Sequence, residues 1–465
     1  MSSRSPVLSR LRSNVAGIEW PPVATGKAAE LAALLGQLED TQWWSAGEIA
    51  GRQFRQLGVL ARHCAEQSAH FRRRLGDAGL AAGDLATPEG LARLPILSRR
   101  ELQAAGEDFY CRRLPADHGP IYQGRTSGST GEPVVVRRTA ISHLDWLAAT
   151  MREHFWHGRD FGERLASIRA NTSEPVRLEH WGPPASLLFD TGPSLLLPAR
   201  SDIGQLWAWL ADFRPGHLLV YPSILAALAA RCREIGGPWP GLRQIRTIGE
   251  TVAPELRQEA AAAFGTKVVD SYSSEEAGYI ASECPDSGLY HVQAEAVLVE
   301  VVDDRGQACS PGQVGRVVLT ALRNFATPLI RYDIGDFAEV AGPCPCGRGL
   351  PALRRILGRE RNLVLMPDGS RHWPQVGFRR FRDIAPIRQY QFVQLERELV
   401  EVRLVAEATL TAGQEAALTA LIHDRLGHAF PLRFAYFDDR LPVGANGKFE
   451  EFVCRLTPVA GEAGP

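Results

Sequence analysis

Three groups of residues in this sequence have types and spacings that could do chemistry. Residues 124–133 read Gly-Arg-Thr-Ser-Gly-Ser-Thr-Gly-Glu-Pro, between two strand-like runs. Thr126, Ser127, Gly128, Ser129, Thr130 and Gly131 offer hydroxyls and closely approachable backbone N–H groups, which is what a polyphosphate needs. The run is not a Walker loop, because Gly131 is followed by Glu132 and Pro133 rather than by lysine and a helix. The second group is Cys284 and His291, joined much later by Cys344-Pro345-Cys346. Three thiolates and one imidazole make a closed tetrahedral zinc set with no position left for water. A Cys-x-Cys pair also suits a chelate better than a strain-free disulfide. The competing reading is a set of buried thiols without metal. The third group is a series of polar segments in fixed order: residues 249–250, 270–278, 327–336, 358–361 and 446–448.

Taken in order, these segments resemble the adenylate-forming superfamily of acyl-CoA synthetases, adenylation domains and luciferases. The detail is closest to the phenylacetate–CoA ligase branch. The resemblance covers roughly residues 50–455 and begins with a lead-in, Leu94-Pro95-Ile96-Leu97-Ser98. It implies that residues 126–131 hold the phosphates of ATP and that Gly249 and Glu250 border adenine. It further implies that Tyr272 stacks on adenine, that Glu276 helps hold Mg²⁺, and that Asp336 accepts hydrogen bonds from the ribose hydroxyls. A carboxylate suits Mg²⁺, a hard cation that takes oxygen ligands. By the same resemblance, Arg359 reaches toward the nucleotide from a hinge at 358–361. Lys448 would bridge the reacting carboxylate and α-phosphate as negative charge builds between them. Relatives with the same cysteine and histidine pattern carry a structural zinc, which would make Cys284, His291, Cys344 and Cys346 its ligands.

The implied activity is ATP-dependent activation of a carboxylic acid to an acyl-adenylate, with pyrophosphate release and transfer to coenzyme A. The acid would be aromatic or arylacetic. A rival reading passes the acyl group to a carrier-protein thiol or an amine. A reading of another class is a nucleotide-binding relative that has lost turnover. Three departures from the family pattern support that last reading: Glu275 in place of Ser or Thr, Arg361 at the pivot, and Glu451 where a basic residue is common. Glu275 alone reads as a solvent-facing charge. Lys448 alone would read as a surface lysine in an Asn-Gly turn. Arg137 and Arg138 fit phosphate contact and a solvated strand end equally well.

Elements must position these residues. Before residue 100 the pattern is helical, with apolar spacing of three and four over 28–38 and 49–75. From about Ile121, short β-rich runs alternate with helical stretches: 134–136 then 141–155, 218–221 then 223–235, and 245–248 then 254–264. That alternation predicts parallel sheets covered by helices. Residues 294–302 and 316–322 predict a second, more antiparallel sheet. After 361 the strands at 363–366, 402–405 and 432–437 and the helix at 414–426 predict a compact α+β unit of about 100 residues. The expected fold is therefore α/β, with a large N-terminal adenylate-forming domain (1–357), the hinge (358–361) and a small mobile C-terminal domain (362–465). His154 and His157 have helical spacing but no third ligand, and read as a partly exposed helix end.

The chain has 465 residues, of which 45% are apolar and 23% charged, ordinary values for a globular protein. Lys plus Arg number 52 against 53 Asp plus Glu, which argues against nucleic acid as a partner. No apolar run is long enough for a membrane span. Eight cysteines, unevenly placed, do not form a disulfide framework and point to a reducing, cytoplasmic setting. The expected partners are a small carboxylic acid and coenzyme A or a carrier protein, with a homodimer left open.

Overall fold

The computed structural model describes residues 11–125, 134–236, 241–359, 362–372, 374, 381, 383–438, 441–442 and 449–456. The phosphate-loop residues 126–131, the pivot Arg361 and Lys448 lie outside them. The chain divides into two compact units. One is Met1–Gly249 with Ala260–Ile356, and the other is Glu250–Glu259 with Leu357–Pro465.

The first unit opens with helices α1 (Gly26–Thr41), α2 (Ala46–Gln67), α3 (Ala69–Asp77), α4 (Pro88–Arg93) and α5 (Arg99–Ala105). Ser45 starts α2 with a capping box: its side chain accepts from the Glu48 N–H, and Glu48 reaches back to the Ser45 N–H. The helix expected over 49–75 is two helices, broken at Ser68. The Ser68 hydroxyl caps α3 through the Phe71 N–H at 3.2 Å and donates to the Phe109 carbonyl at 2.8 Å. A buried partner distant in sequence thus overrides a continuous local pattern.

The hairpin β1 (Ile121–Arg125) and β2 (Val135–Thr139) follows, and then α6 (Ala140–Trp156). The main sheet and its helices run β3 (Leu165–Arg169), β4 (Val176–Leu178), α7 (Ala185–Leu188), β5 (Ser194–Pro198), α8 (Ile203–Phe213), β6 (His217–Val220) and α9 (Pro222–Ile235). They continue as β7 (Gln244–Ile248), α10 (Pro254–Phe264), β8 (Val268–Ser274), β9 (Gly278–Glu283), β10 (Tyr290–Val292), β11 (Val297–Val302), β12 (Val314–Ala321), β13 (Tyr332–Val340) and β14 (Ala352–Arg359). Strands β5, β3, β6, β7 and β8 pair in parallel, as the strand–helix alternation predicts.

The antiparallel strands do not form a separate sheet. Among the described residues the order is β11-β12-β13-β14-β10-β9-β8-β7-β6-β3-β5-β4, a single sheet of 12 strands. The β8–β9 hairpin is where the parallel part turns antiparallel, with Ser271 opposite Ser282. The chain folds straight back there and satisfies the free edge of β8, so the two parts are continuous. One apolar cluster holds Tyr272, Tyr332 and Ile334 together with Leu97 and Val136. Each such side chain contributes about 1.5–3 kcal/mol on burial. Elements far apart in sequence therefore share one core under the motif residues.

The second unit contains β15 (Val364–Leu365), β16 (Arg371–His372), β17 (Ile387–Glu396), β18 (Leu399–Ala406), α11 (Ala412–Leu426), β19 (Leu432–Tyr436) and β20 (Phe452–Cys454). Its main sheet has the order β19-β18-β17-β20. Leu418, Ile422 and Leu426 of α11 pack into a cluster with Phe392, Val402 and Leu404. Strand β17 has no counterpart in the apolar pattern, because Gln391 and Gln394 are buried within it at 5% and 0% exposure. Gln394 is satisfied by the Leu365 backbone at 3.0 and 2.7 Å. Among the described residues no helix is long and apolar enough to cross a membrane.

Candidate active site and candidate metal centre

In open sheets with parallel strands, ligands bind in the crevice beyond the carboxyl ends of those strands. Gly249 stands there, directly after β7, with φ +77°, a left-handed conformation that glycine adopts without strain. Tyr272 lies in the adjacent β8. Its hydroxyl donates to Asp336 Oδ2 at 2.7 Å, across 64 residues of sequence. Both are nearly buried, at 8% and 9% exposure. Asp336 sits inside β13.

The turn between β8 and β9 carries the neighbouring carboxylates Glu275 and Glu276. Each faces its own arginine. Arg99 at the start of α5 pairs with Glu276 at 3.3 Å, and Arg138 of β2 pairs with Glu275 at 2.9 Å. Arg137, on the other face of β2, pairs with Glu107 at 2.7 Å and lies 3.9 Å over the Tyr110 ring. The backbone at Arg137 is fixed by Thr327, whose Oγ1 accepts its N–H at 2.9 Å and donates to its carbonyl at 2.8 Å. The segment 327–336 is thereby clamped to the hairpin that borders residues 126–133.

Sequence reasoning left Arg331 without a role. Its φ is +54°, unusual for a residue with a side chain. Its guanidinium is buried, donates to the carbonyls of Ala92 and Leu94, each at 2.6 Å, and pairs with Glu300 at 3.2 Å. Its carbonyl accepts from the Leu97 N–H at 2.8 Å. These contacts hold the lead-in 94–98 against β13 and so place Arg99 beside Glu276. No local signal in the sequence announces that bent backbone.

His154 and His157 do not form an exposed helix end. His154 is buried at 7%, and the His157 side chain is 5% exposed. They follow Glu153, which is fully buried and ion-paired to Arg159 and, at 3.3 Å, to Arg246 of β7. Burial pushes the Glu153 carboxyl up, but Arg159 and Arg246 outweigh it and hold it well below the usual carboxylate range. Burial holds His154 neutral. Arg246 Nε donates to Ser271 Oγ at 3.3 Å, next to Tyr272. This charged cluster reaches into β7 and touches β8, the strands that carry the site, and was not read from the sequence.

The structure brings Cys284, His291, Cys344 and Cys346 together. Their ligand atoms all lie within 4.8 Å of one another. Cys284 and Cys344 Sγ are 3.8 Å apart, and His291 Nε2 is 3.3 Å from Cys346 Sγ. A tetrahedral zinc with bonds of about 2.3 Å to sulfur places sulfur atoms about 3.8 Å apart, so the donor set fits zinc in type and spacing. Burial, aided by the charge of Arg348, lowers the His291 pKa to about 4. The imidazole is thus neutral near pH 7, the form that binds metal. The surrounding loops dock on the corner between α1 and α2. Arg348 lies between the rings of Trp43 and Trp156 at 4.9 and 4.7 Å, and the Gly349 N–H donates to the Gln42 carbonyl at 2.9 Å. A Cβ at Gly349 would fall 1.8 Å from the Trp44 carbonyl, so only glycine fits this approach.

In the second unit, the Glu250 carboxylate accepts from the Phe449 N–H at 3.3 Å, one residue after Lys448. The Arg359 N–H donates to Asn362 Oδ1 at 3.0 Å. Glu451 is raised to about 7, first by burial, then by nearby Glu255, Glu250 and Glu259, against a lowering hydrogen bond from Tyr390.

No family model matches the chain. Among curated proteins, it is 24% identical over 338 residues to a phenylacetate–coenzyme A ligase of Aromatoleum evansii, covering 71% of this chain and 75% of the relative. It is 26% identical over 341 residues to a phenylacetate–coenzyme A ligase of Thermus thermophilus, covering 69% and 72%. Among solved structures, a 2-hydroxyisobutyryl-CoA ligase in the postadenylation state superposes with a TM-score of 0.71. That match covers 89% of this chain and 91% of the other, at 20% identity, a likeness of fold.

Proposed function

We propose that this chain, a member of the phenylacetate–CoA ligase-like branch of the adenylate-forming superfamily, activates a carboxylic acid with ATP and passes the acyl group to coenzyme A. The observation that carries the reading is the Tyr272–Asp336 hydrogen bond at 2.7 Å. It joins the residue assigned to adenine with the residue assigned to ribose, at the end of the sheet where a nucleotide would lie.

In the first step a carboxylate oxygen attacks the α-phosphorus. The bond to pyrophosphate breaks, and a mixed anhydride with AMP forms. In the second step the coenzyme A sulfur attacks the acyl carbon, losing its proton, and AMP leaves. The protein's contribution is positioning and charge stabilisation. Asp336 and Tyr272 hold the nucleoside, residues 126–131 cradle the departing pyrophosphate, and Lys448 neutralises charge between the reacting groups. Glu276 would hold Mg²⁺, which when bound offsets phosphate charge. Cys284, His291, Cys344 and Cys346 would hold a structural zinc, which when bound stabilises the fold around the β9–β10 turn. The hinge at 358–361 lets the unit carrying Lys448 withdraw between steps. The three phenylacetate–CoA ligases among the relatives favour an aromatic or arylacetic acid. A thiol-rich metal set favours a reducing, cytoplasmic compartment.

The test is pyrophosphate release from MgATP across aromatic, arylacetic and aliphatic acids, with and without coenzyme A. Acid-dependent release with a thioester product is expected, and Lys448→Ala should abolish it. Release indifferent to coenzyme A would move the acceptor to a carrier protein or an amine. No release with any acid would refute the ligase reading.

A further inference from the structure

The adenylation reading leaves the Arg138–Glu275 pair unexplained. Glu275 stands where the resemblance expects a hydroxyl residue, beside the proposed magnesium ligand and close to where a triphosphate must lie. An anion there ought to repel nucleotide. The structure shows how it is tolerated. Arg138 Nη2 donates to Glu275 Oε2 at 2.9 Å and also to the Glu275 carbonyl. Gly124 of β1 makes room for the pair. A Cβ there would sit 3.3 Å from Arg138 Nη2 and 3.4 Å from Glu275 Oε2.

The two partners are held differently. The Glu275 side chain is 60% exposed and that of Arg138 is 28% exposed. Arg138 Nε is buried and, among the described residues, has no hydrogen-bond partner. The arginine is therefore fixed at the base of the hairpin bordering 126–133 with donor capacity to spare, while the glutamate can swing into water. An exposed ion pair contributes little, because water screens it and two side chains must be held in one geometry. A guanidinium on a phosphate, bidentate and charge-assisted, is stronger. Exchange of carboxylate for phosphate is favourable on those grounds.

We infer that Arg138 is a phosphate-binding residue of this site and that Glu275 is the anion that occupies it until a nucleoside triphosphate arrives. The inference rests on the adenylation reading. Arg137 shares the unpartnered buried Nε and an exposed carboxylate partner, but it has no such role because it projects from the opposite face of β2, toward Glu107 and the Tyr110 ring and away from Glu275 and Glu276.

The test exploits the sign of two substitutions on one pair. MgATP and adenosine dissociation constants are measured by calorimetry for the wild type, Glu275→Gln, Arg138→Ala and Arg138→Lys. Glu275→Gln removes a competitor and should tighten MgATP about fivefold. Arg138→Ala removes a charge-assisted contact and should weaken MgATP about tenfold or more, with Arg138→Lys between the wild type and Ala. Adenosine affinity should stay constant in all variants, which also reports that they are folded. A merely structural ion pair predicts that both substitutions weaken MgATP together. That result, or an Arg138→Ala affinity equal to the wild type, would overturn the inference. A wild type that binds no MgATP would overturn the adenylation reading itself.

Discussion

Replacing Glu153 with glutamine should be a costly single-atom change in the large unit. The Glu153 side chain has 0% exposure, and its Oε1 accepts from Arg159 Nη2 at 2.6 Å. Its Oε2 takes Arg159 Nη1 and faces Arg246 Nη1 at 3.3 Å. Arg159 and Arg246 are each 7% exposed, so without the carboxylate two guanidiniums confront each other out of water. Burial already lowers the Arg246 pKa to about 10. Removing one partner of a buried pair costs about 3–5 kcal/mol, because the desolvation of the remaining charge is no longer offset. Glutamine keeps the shape, so little of that cost is a cavity. Urea unfolding followed by tryptophan emission should show the loss in the transition of the large unit. Asp212→Asn is the control: its pair with Arg177 is 70% and 62% exposed and should cost under about 1 kcal/mol. The pH dependence has a definite sign. The folded pKa of Glu153 is depressed, so its stabilisation is present above the unfolded pKa of about 4.3 and fades as pH falls toward the folded value. The gap between wild type and variant should therefore be constant from neutral pH to about pH 5 and narrow only in acid. A loss no larger than the control's, or a gap that closes above pH 6, would refute the argument.

Protein purified without added metal should carry stoichiometric zinc, and chelation or Cys344→Ser should lower its thermal midpoint; free thiols at Cys344 and Cys346 in metal-free, equally stable protein would refute the site. Glu451, raised to about 7, favours folding most when protonated, so its stabilisation is lost as pH rises from about 4.3 to 7. Glu451→Gln should match the wild type near pH 4 and melt higher at pH 8; no gain at pH 8 sinks the assignment. Tyr272→Phe keeps the ring and removes one hydrogen bond of about 1 kcal/mol, so the apparent KM for ATP should rise about fivefold, and Asp336→Asn should raise it further. An unchanged KM in Tyr272→Phe would detach that hydroxyl from nucleotide binding.

What the sequence determines by itself is local or ordinal. The helical spacing before residue 100 and the strand–helix alternation from β6 to β8 are legible because side-chain periodicity acts within a few residues. The order of the polar segments is legible as a resemblance, and the ligand types at 284, 291, 344 and 346 are legible as chemistry. The tertiary structure decides which distant groups meet. Ser68 breaks a helix because Phe109 offers a carbonyl, and β17 hides its glutamines because the Leu365 backbone satisfies Gln394. Arg331 adopts its left-handed backbone because the Ala92 and Leu94 carbonyls surround its guanidinium. Glu275 is the solvent-facing charge the sequence suggests, and it gains Arg138 as a partner only because β2 passes beside the β8–β9 turn. Glu153 and the histidines around it read as a polar helix end until β7 delivers Arg246 and the chain after α6 delivers Arg159. Periodicity reports which face of an element is apolar. It carries no information on sheet order or register, and those settle which buried charge finds its partner.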